Sequence, residues 1–125
     1  MSVFTLTDGV KMFRKKSTPT ENILILGLGG VGYYLAKRLV HEEYAVTIIE
    51  ADAKLIHQAD GQIDARLIHG NGMSIKCWEE AGADKMDYLI AVTNNDAVNM
   101  MAAMIADKFG IKMKIARVRS RAVSY

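Results

Sequence analysis

Gly27, Gly29 and Gly32 fall at the spacing G-x-G-x-x-G, spelled Gly27-Leu28-Gly29-Gly30-Val31-Gly32, directly behind the apolar run Ile23-Leu24-Ile25-Leu26. That spacing suits a strand-to-helix turn that cradles a pyrophosphate. The first glycine permits the tight turn, the second lets phosphate approach the backbone, and the third lets helix and strand pack closely. Amides at the helix start, with roughly half a positive charge from the helix dipole, form the anion site. Glu50 lies eighteen residues beyond Gly32 and closes a second β-branched run, Ala45–Glu50. This is near the ~20 residues at which a carboxylate accepts from the adenosine ribose hydroxyls. It would repel a 2′-phosphate, which favours NAD over NADP and suits the ribose of ATP, ADP or AMP equally. Plainer readings stay open: glycine also serves ordinary turns, and Glu50 can be a solvated charge at a strand end. Ala51 and Asp52 follow into the same corner, with Asp52 chiefly a helix cap.

Two further segments follow later strands and should line the same cleft: Gly70-Asn71-Gly72 and Thr93-Asn94-Asn95-Asp96. They offer small residues and amide groups near the expected base and second phosphate, although the same residues are what any turn and helix cap would use. A catalyst is harder to find, because hydride transfer needs a substrate pocket and usually an acid or metal beside the nicotinamide. His41 and His57 fall on helix surfaces. His69 precedes the Gly70 turn and is the histidine expected near the cleft, with packing or solvent exposure as its role. Cys77 and Trp78 read as packing residues, and Met86, Met100, Met101, Met104 and Met113 as core filler and an adaptable contact surface.

The elements that must position these residues alternate along the chain. Strands are expected at Ile23–Leu26, Ala45–Glu50, Arg66–His69, Tyr88–Thr93 and Lys112–Val118, with helices at Gly30–Glu43, Ala53–Ala59, Ser74–Ala81 and from Asn95 or Asp96 to Phe109. Gly82 and Gly110 end the last two helices. This alternation predicts one α/β domain, a Rossmann-type doubly wound parallel sheet, with ligands bound beyond the carboxyl ends of the strands. It occupies residues 21–125, preceded by a basic extension or linker over residues 1–20 that ends in Ser17-Thr18-Pro19-Thr20.

Composition narrows the class. The longest apolar stretch falls well short of the ~20 residues a membrane span needs. The basic first segment has no apolar core or cleavage site of a secretory signal, so a cytoplasmic location is expected. The single cysteine excludes an internal disulfide and a cysteine-based metal cluster. Net charge is +2, with basic residues gathered in 1–20 and 112–121 and an acidic body between. Lys112, Lys114, Arg117, Arg119 and Arg121 alternate along a strand and its tail, not over one face interleaved with aromatics, so no nucleic-acid partner is expected.

The order ILGLGGVG, TIIEAD, HGNG, EEAGADKMDYLIAVTNNDAVNMMAA and IARVRS, over residues 22–120, resembles the TrkA N-terminal domain, also called KTN or RCK. Its most specific part runs from Glu79 to Asn99. The resemblance implies a cytoplasmic domain that binds NAD or NADH, with ATP, ADP or AMP as alternatives, and controls potassium transport without being an enzyme. It implies a homo-oligomer, dimer or larger, held peripherally at the inner membrane face by a potassium channel or transporter subunit. Carried over by position, the nucleotide would contact Gly27 to Gly32, Glu50, Gly70 to Gly72 and Thr93 to Asn95. Two departures stand out: Gly30 where relatives often carry a longer polar or basic side chain, and Asn71 where many have aspartate. The alternative is the cofactor-binding fragment of an NAD-dependent dehydrogenase, and a third reading is a stand-alone nucleotide sensor.

Overall fold

The protein is described by a computed structural model over residues 20–119. Apart from Thr20, the extension expected at the amino terminus lies outside these residues, as does Arg121. In chain order the elements are β1 (Asn22–Leu26), α1 (Gly30–His41), β2 (Ala45–Glu50), α2 (Ala53–Ala59), β3 (Arg66–His69), α3 (Ile75–Glu80), a 3-10 turn (Ala83–Lys85), β4 (Tyr88–Ala91), α4 (Asp96–Lys108) and β5 (Met113–Ala116). The strands make one five-stranded sheet in the order β3-β2-β1-β4-β5. Every pairing is parallel.

That order follows from handedness. Right-handed crossovers carry the chain one way from β1 through β2 to β3, then across to β4 and outward to β5, so the winding reverses between β1 and β4. Leu26 of β1 is in register with Ile49 of β2 and Ala91 of β4. The strand ends therefore open a crevice at the reversal point, where ligands of such sheets sit.

After Asn22, β1 is apolar because both faces of the sheet are covered. Leu24 and Leu26 join Trp78, Leu89, Ala102 and Ala106 on one side, while Ile23 and Ile25 join Val46, Ile48, Ala36 and Ile90 on the other. Trp78 is fully buried and stacks on Phe109 with ring centroids 5.9 Å apart. The methionines expected as core filler mostly lie outside it: Met100, Met101, Met104 and Met113 are exposed, and Met86 packs against the core.

Several boundaries move for identifiable reasons. α1 stops at His41, because Glu42 caps it and Glu43 turns the chain with φ +73°. α3 is shorter than expected by its two caps: the Ser74 hydroxyl accepts from the Cys77 amide, and Ala81 closes the other end. A 3-10 turn opened by Gly82 at φ +74° follows. Asn95 caps α4 by accepting from the Val98 amide at 3.0 Å. β4 ends at Ala91, before the expected Thr93, and the edge strand β5 pairs over four residues only. Of the residues lost from the two ladders, Val92, Thr93 and Arg117 are drawn into the cleft wall.

Candidate functional site

A cleft of about 780 Å³ opens over the carboxyl ends of the strands. Gly27, Gly29, Gly30 and Val31 line it from the first turn, Glu50, Ala51 and Asp52 from the second, Asn71 and Gly72 from the third, and Thr93, Asn94 and Asn95 from the fourth. Leu28, Gly32 and Gly70 do not line it.

The glycines of the first turn divide into two kinds. Gly27 takes φ +109°, and a Cβ there would stand 2.9 Å from the Thr93 amide nitrogen. A Cβ on Gly32 would run into the Gly27 carbonyl, so α1 can approach β1 only through glycine. Gly29 and Gly30 are exposed, with nothing within 4 Å of a Cβ on either. Gly29 is the residue before α1 and supplies no capping side chain, and the first turn holds no acid. Its amides therefore lack an intrahelical acceptor in a turn that lines the cleft, an arrangement that suits a phosphate oxygen.

Glu50 does more than end β2. Its Oε1 accepts from the Leu28 amide at 2.6 Å and its Oε2 from the Asp52 amide at 2.8 Å, so one carboxylate ties the glycine turn to the start of α2. An ionised carboxylate offers about four acceptor positions, which leaves room for ribose hydroxyls. The Leu28 side chain is buried in the core, and the amide is the part that serves the turn. Asp52 caps α2, accepting from the Lys54 amide at 2.8 Å. His69 is near the cleft and exposed, as expected, without lining it: its ring nitrogen Nε2 sits 3.0 Å from the carbonyl of Ala51, which does line it.

The third turn is held from below. The Trp78 indole donates to the Gly72 carbonyl at 2.7 Å, and Asn71 Oδ1 accepts from the Met73 amide at 2.8 Å. A Cβ on Gly72 would collide with Leu26, and one on Gly70 with Cys77 Sγ, so these glycines serve close packing.

The fourth turn brings in residues not anticipated from sequence. Asn99, on the inner face of α4, is fully buried. Its Oδ1 accepts from the Thr93 amide at 2.9 Å and the Thr93 hydroxyl at 2.7 Å; its Nδ2 donates to the carbonyls of Thr93 at 3.0 Å and Arg117 at 2.9 Å. Arg117, expected to alternate along a strand and its tail, instead lines the cleft. Its guanidinium donates to the Thr93 carbonyl at 3.1 Å, while its Nε is buried without a hydrogen-bond partner. Arg119 grips the same turn from outside, through the Asn94 carbonyl and the Asp96 carboxylate. Leu26, Ile49, Leu55, Val92 and Val98 give the cleft an apolar floor. The lining thus carries Glu50 and Asp52 on one side of β1 and Arg117 on the other. Arg117's place near the carboxyl end of the expected strand Lys112–Val118 was the available signal, since that end carries every other lining turn.

Among the described residues no helix is long and apolar enough to cross a membrane, and no group of three or more His, Cys, Asp or Glu could hold a metal ion.

Sheet order, glycine turn and strand-end cleft define an α/β domain of the Rossmann type. The TrkA-N domain profile matches residues 23–123, and the chain belongs to that family. It is similar to the Trk system potassium uptake protein TrkA of Halomonas elongata, 42% identical over 101 residues, covering 80% of this chain and 22% of that protein. It is also similar to a TrkA homolog of Methanothermobacter thermautotrophicus, 38% identical over 96 residues, covering 77% and 44%. The chain thus spans about a fifth of the length of the bacterial relative and under half of the archaeal one. Among solved structures, the TrkA-N domain of the Escherichia coli inner membrane protein ybaL superposes with a TM-score of 0.56 at 14% identity, covering 79% of this chain and 89% of that one. The AMP-bound Kef carboxy-terminal domain of Shewanella denitrificans gives 0.62 at 21%, covering 76% and 57%.

Proposed function

We propose that this chain is a nucleotide-binding regulatory domain that controls potassium transport through an associated membrane channel or transporter. The ligand is NAD or NADH, or else ATP, ADP or AMP. The observation that carries the reading is the pair Gly29 and Gly30: exposed, free of any packing demand, and set against uncapped amides at the start of α1. The fold alone would tolerate a side chain at either, whereas a phosphate lying on the turn would not tolerate one at Gly29. Glu50 would take the adenosine ribose, and the Arg117 side chain, which lines the far side of the cleft, would meet a ligand oxygen there. The unit is residues 21–125, with 1–20 as its extension. The named relatives are potassium uptake proteins, which supports a cytoplasmic place beside a membrane partner and a regulatory, non-enzymatic role. Self-association would use the exposed methionines of α4.

Calorimetry with NAD, NADH, ATP, ADP and AMP tests the site. Saturable binding is expected for at least one, and Gly29→Val should abolish it while leaving the thermal midpoint in place. No heat from any of the five, or unchanged affinity in Gly29→Val, would overturn the assignment. Nicotinamide absorbance should stay flat across alcohols and hydroxy acids, and turnover would restore the dehydrogenase reading.

A further inference from the structure

Asn99 stands where helical periodicity calls for an apolar residue. It shares the inner stripe of α4 with Ala102 and Ala106, and all three are fully buried. An amide side chain there is costly unless its hydrogen bonds are all made. They are: an asparagine has two acceptor positions and two donors, and Asn99 uses all four, on three groups of Thr93 and on the Arg117 carbonyl. None of these partners lies in α4, so the side chain holds the cleft wall and not its own helix. Three of its bonds fix the main chain and hydroxyl of Thr93, which lines the cleft. The fourth fixes the backbone of Arg117, which lines it beside Thr93. Without Asn99 the end of β5 would keep its ladder bond from the Arg117 amide to the Ala91 carbonyl, but the Thr93 turn would be tied to it only by the exposed grip of Arg119 and by Arg117's side-chain contact to the Thr93 carbonyl.

Strand order divides the cleft about β1. Glu50, Ala51, Asp52, Asn71 and Gly72 stand over β2 and β3, while Thr93 to Asn95 and Arg117 stand over β4 and β5. The ends of β2 and β5 are three strand spacings apart, about 14 Å, a span that a nucleoside monophosphate does not fill and two nucleotides joined through a pyrophosphate do. We propose that Asn99 is a positioning residue for the β4–β5 half of the site, and that by holding Thr93 and Arg117 in place it sets selectivity for a dinucleotide over a mononucleotide. This rests on the nucleotide-binding reading above. A mononucleotide held by Glu50 and the glycine turn stays on the β2 side of the crevice and meets that wall only where Gly27 abuts the Thr93 amide.

The test compares NADH with AMP by calorimetry on the full chain and on Asn99→Ala. The expected result is a fall of about tenfold in the NADH:AMP affinity ratio, the scale of one net hydrogen bond, with AMP affinity held within about twofold of the parent chain. A purely structural role would lower both affinities together, and that outcome, or an unchanged ratio, overturns the proposal. If neither ligand binds the parent chain, the site reading itself fails and the proposal falls with it. A second measurement needs no variant: the Thr93 amide donates to Asn99, so its hydrogen exchange reports on the wall directly. NADH should slow that exchange more than AMP does at equal saturation, and equal slowing by the two ligands would count against the selectivity role.

Discussion

Removing the Glu50 carboxylate should weaken the fold and the site together, by amounts that follow from its two hydrogen bonds. In Glu50→Ala the Asp52 amide is exposed and finds water, but the Leu28 amide belongs to a residue that is 2% exposed. A buried donor left without an acceptor costs about 1–3 kcal/mol. For a domain of this size that corresponds to a drop in thermal midpoint of roughly 4 to 20 °C. Nucleotide affinity should fall by a further ~1.5–3 kcal/mol, the scale of a hydrogen bond to a charged group, or roughly ten- to 150-fold. Glu50→Gln separates the two duties. Its carbonyl can serve the Leu28 amide or the Asp52 amide, while its NH2 group opposes the other, so the midpoint should settle between those of the parent and Glu50→Ala. Circular dichroism melts give the first quantity and calorimetry the second. Midpoints and affinities unchanged in both variants would refute the view that this carboxylate ties the glycine turn to α2.

Other expectations follow from single features. Gly32→Ala should destabilise the fold severely, because its Cβ would run into the Gly27 carbonyl; a melt superimposable on the parent's would show that α1 can retreat from β1. Burial first, and then the charge of Glu21, raise the Tyr88 phenol above its ordinary 10.0. The folded state thus keeps its proton longer than the unfolded one, and the associated stability, complete below pH ~10, is lost as pH rises through the folded value. Denaturant melts across that window should show the loss, and Tyr88→Phe should remove that part of it. The outer face of α4 exposes Met100, Met101 and Met104 by 49%, 52% and 69%, so the chain should self-associate and Met101→Lys with Met104→Lys should shift it toward monomer in light scattering. A parent chain monomeric at high concentration would exclude that surface.

The sheet and the first half of the cleft were legible because their signals are local. The run Ile23–Leu26, the glycine turn, Glu50 and the Asp52 cap each lie within a few residues of the element they build, and strand-helix alternation then dictates the parallel sheet. Sequence spacing also placed Thr93 to Asn95 correctly in the lining, but it gave them the wrong neighbours. Thr93 looked like the last residue of a strand, whereas its amide, hydroxyl and carbonyl are all turned toward Asn99. Arg117 looked like one of a row of surface cations; its position at a strand end mattered more than its charge. His69, the last residue of β3, kept the exposed role expected of it, beside the cleft at the Ala51 carbonyl.

Asn99 was hidden for a further reason. Helical spacing treats a polar residue on an inner stripe as a fault in the stripe, and the groups that make it favourable are six and eighteen residues away. No window used to judge a helix includes both. Its place one turn into the helix that follows β4 nevertheless sets it beside the end of that strand, where ladder hydrogen bonds stop and main-chain groups need other partners. An asparagine there can satisfy two donors and two acceptors at once, which no apolar residue can. A buried amide in the first turn of a helix leaving a sheet is therefore the expected mark of a strand end that has to be held in one conformation, and in this fold such ends are the cleft.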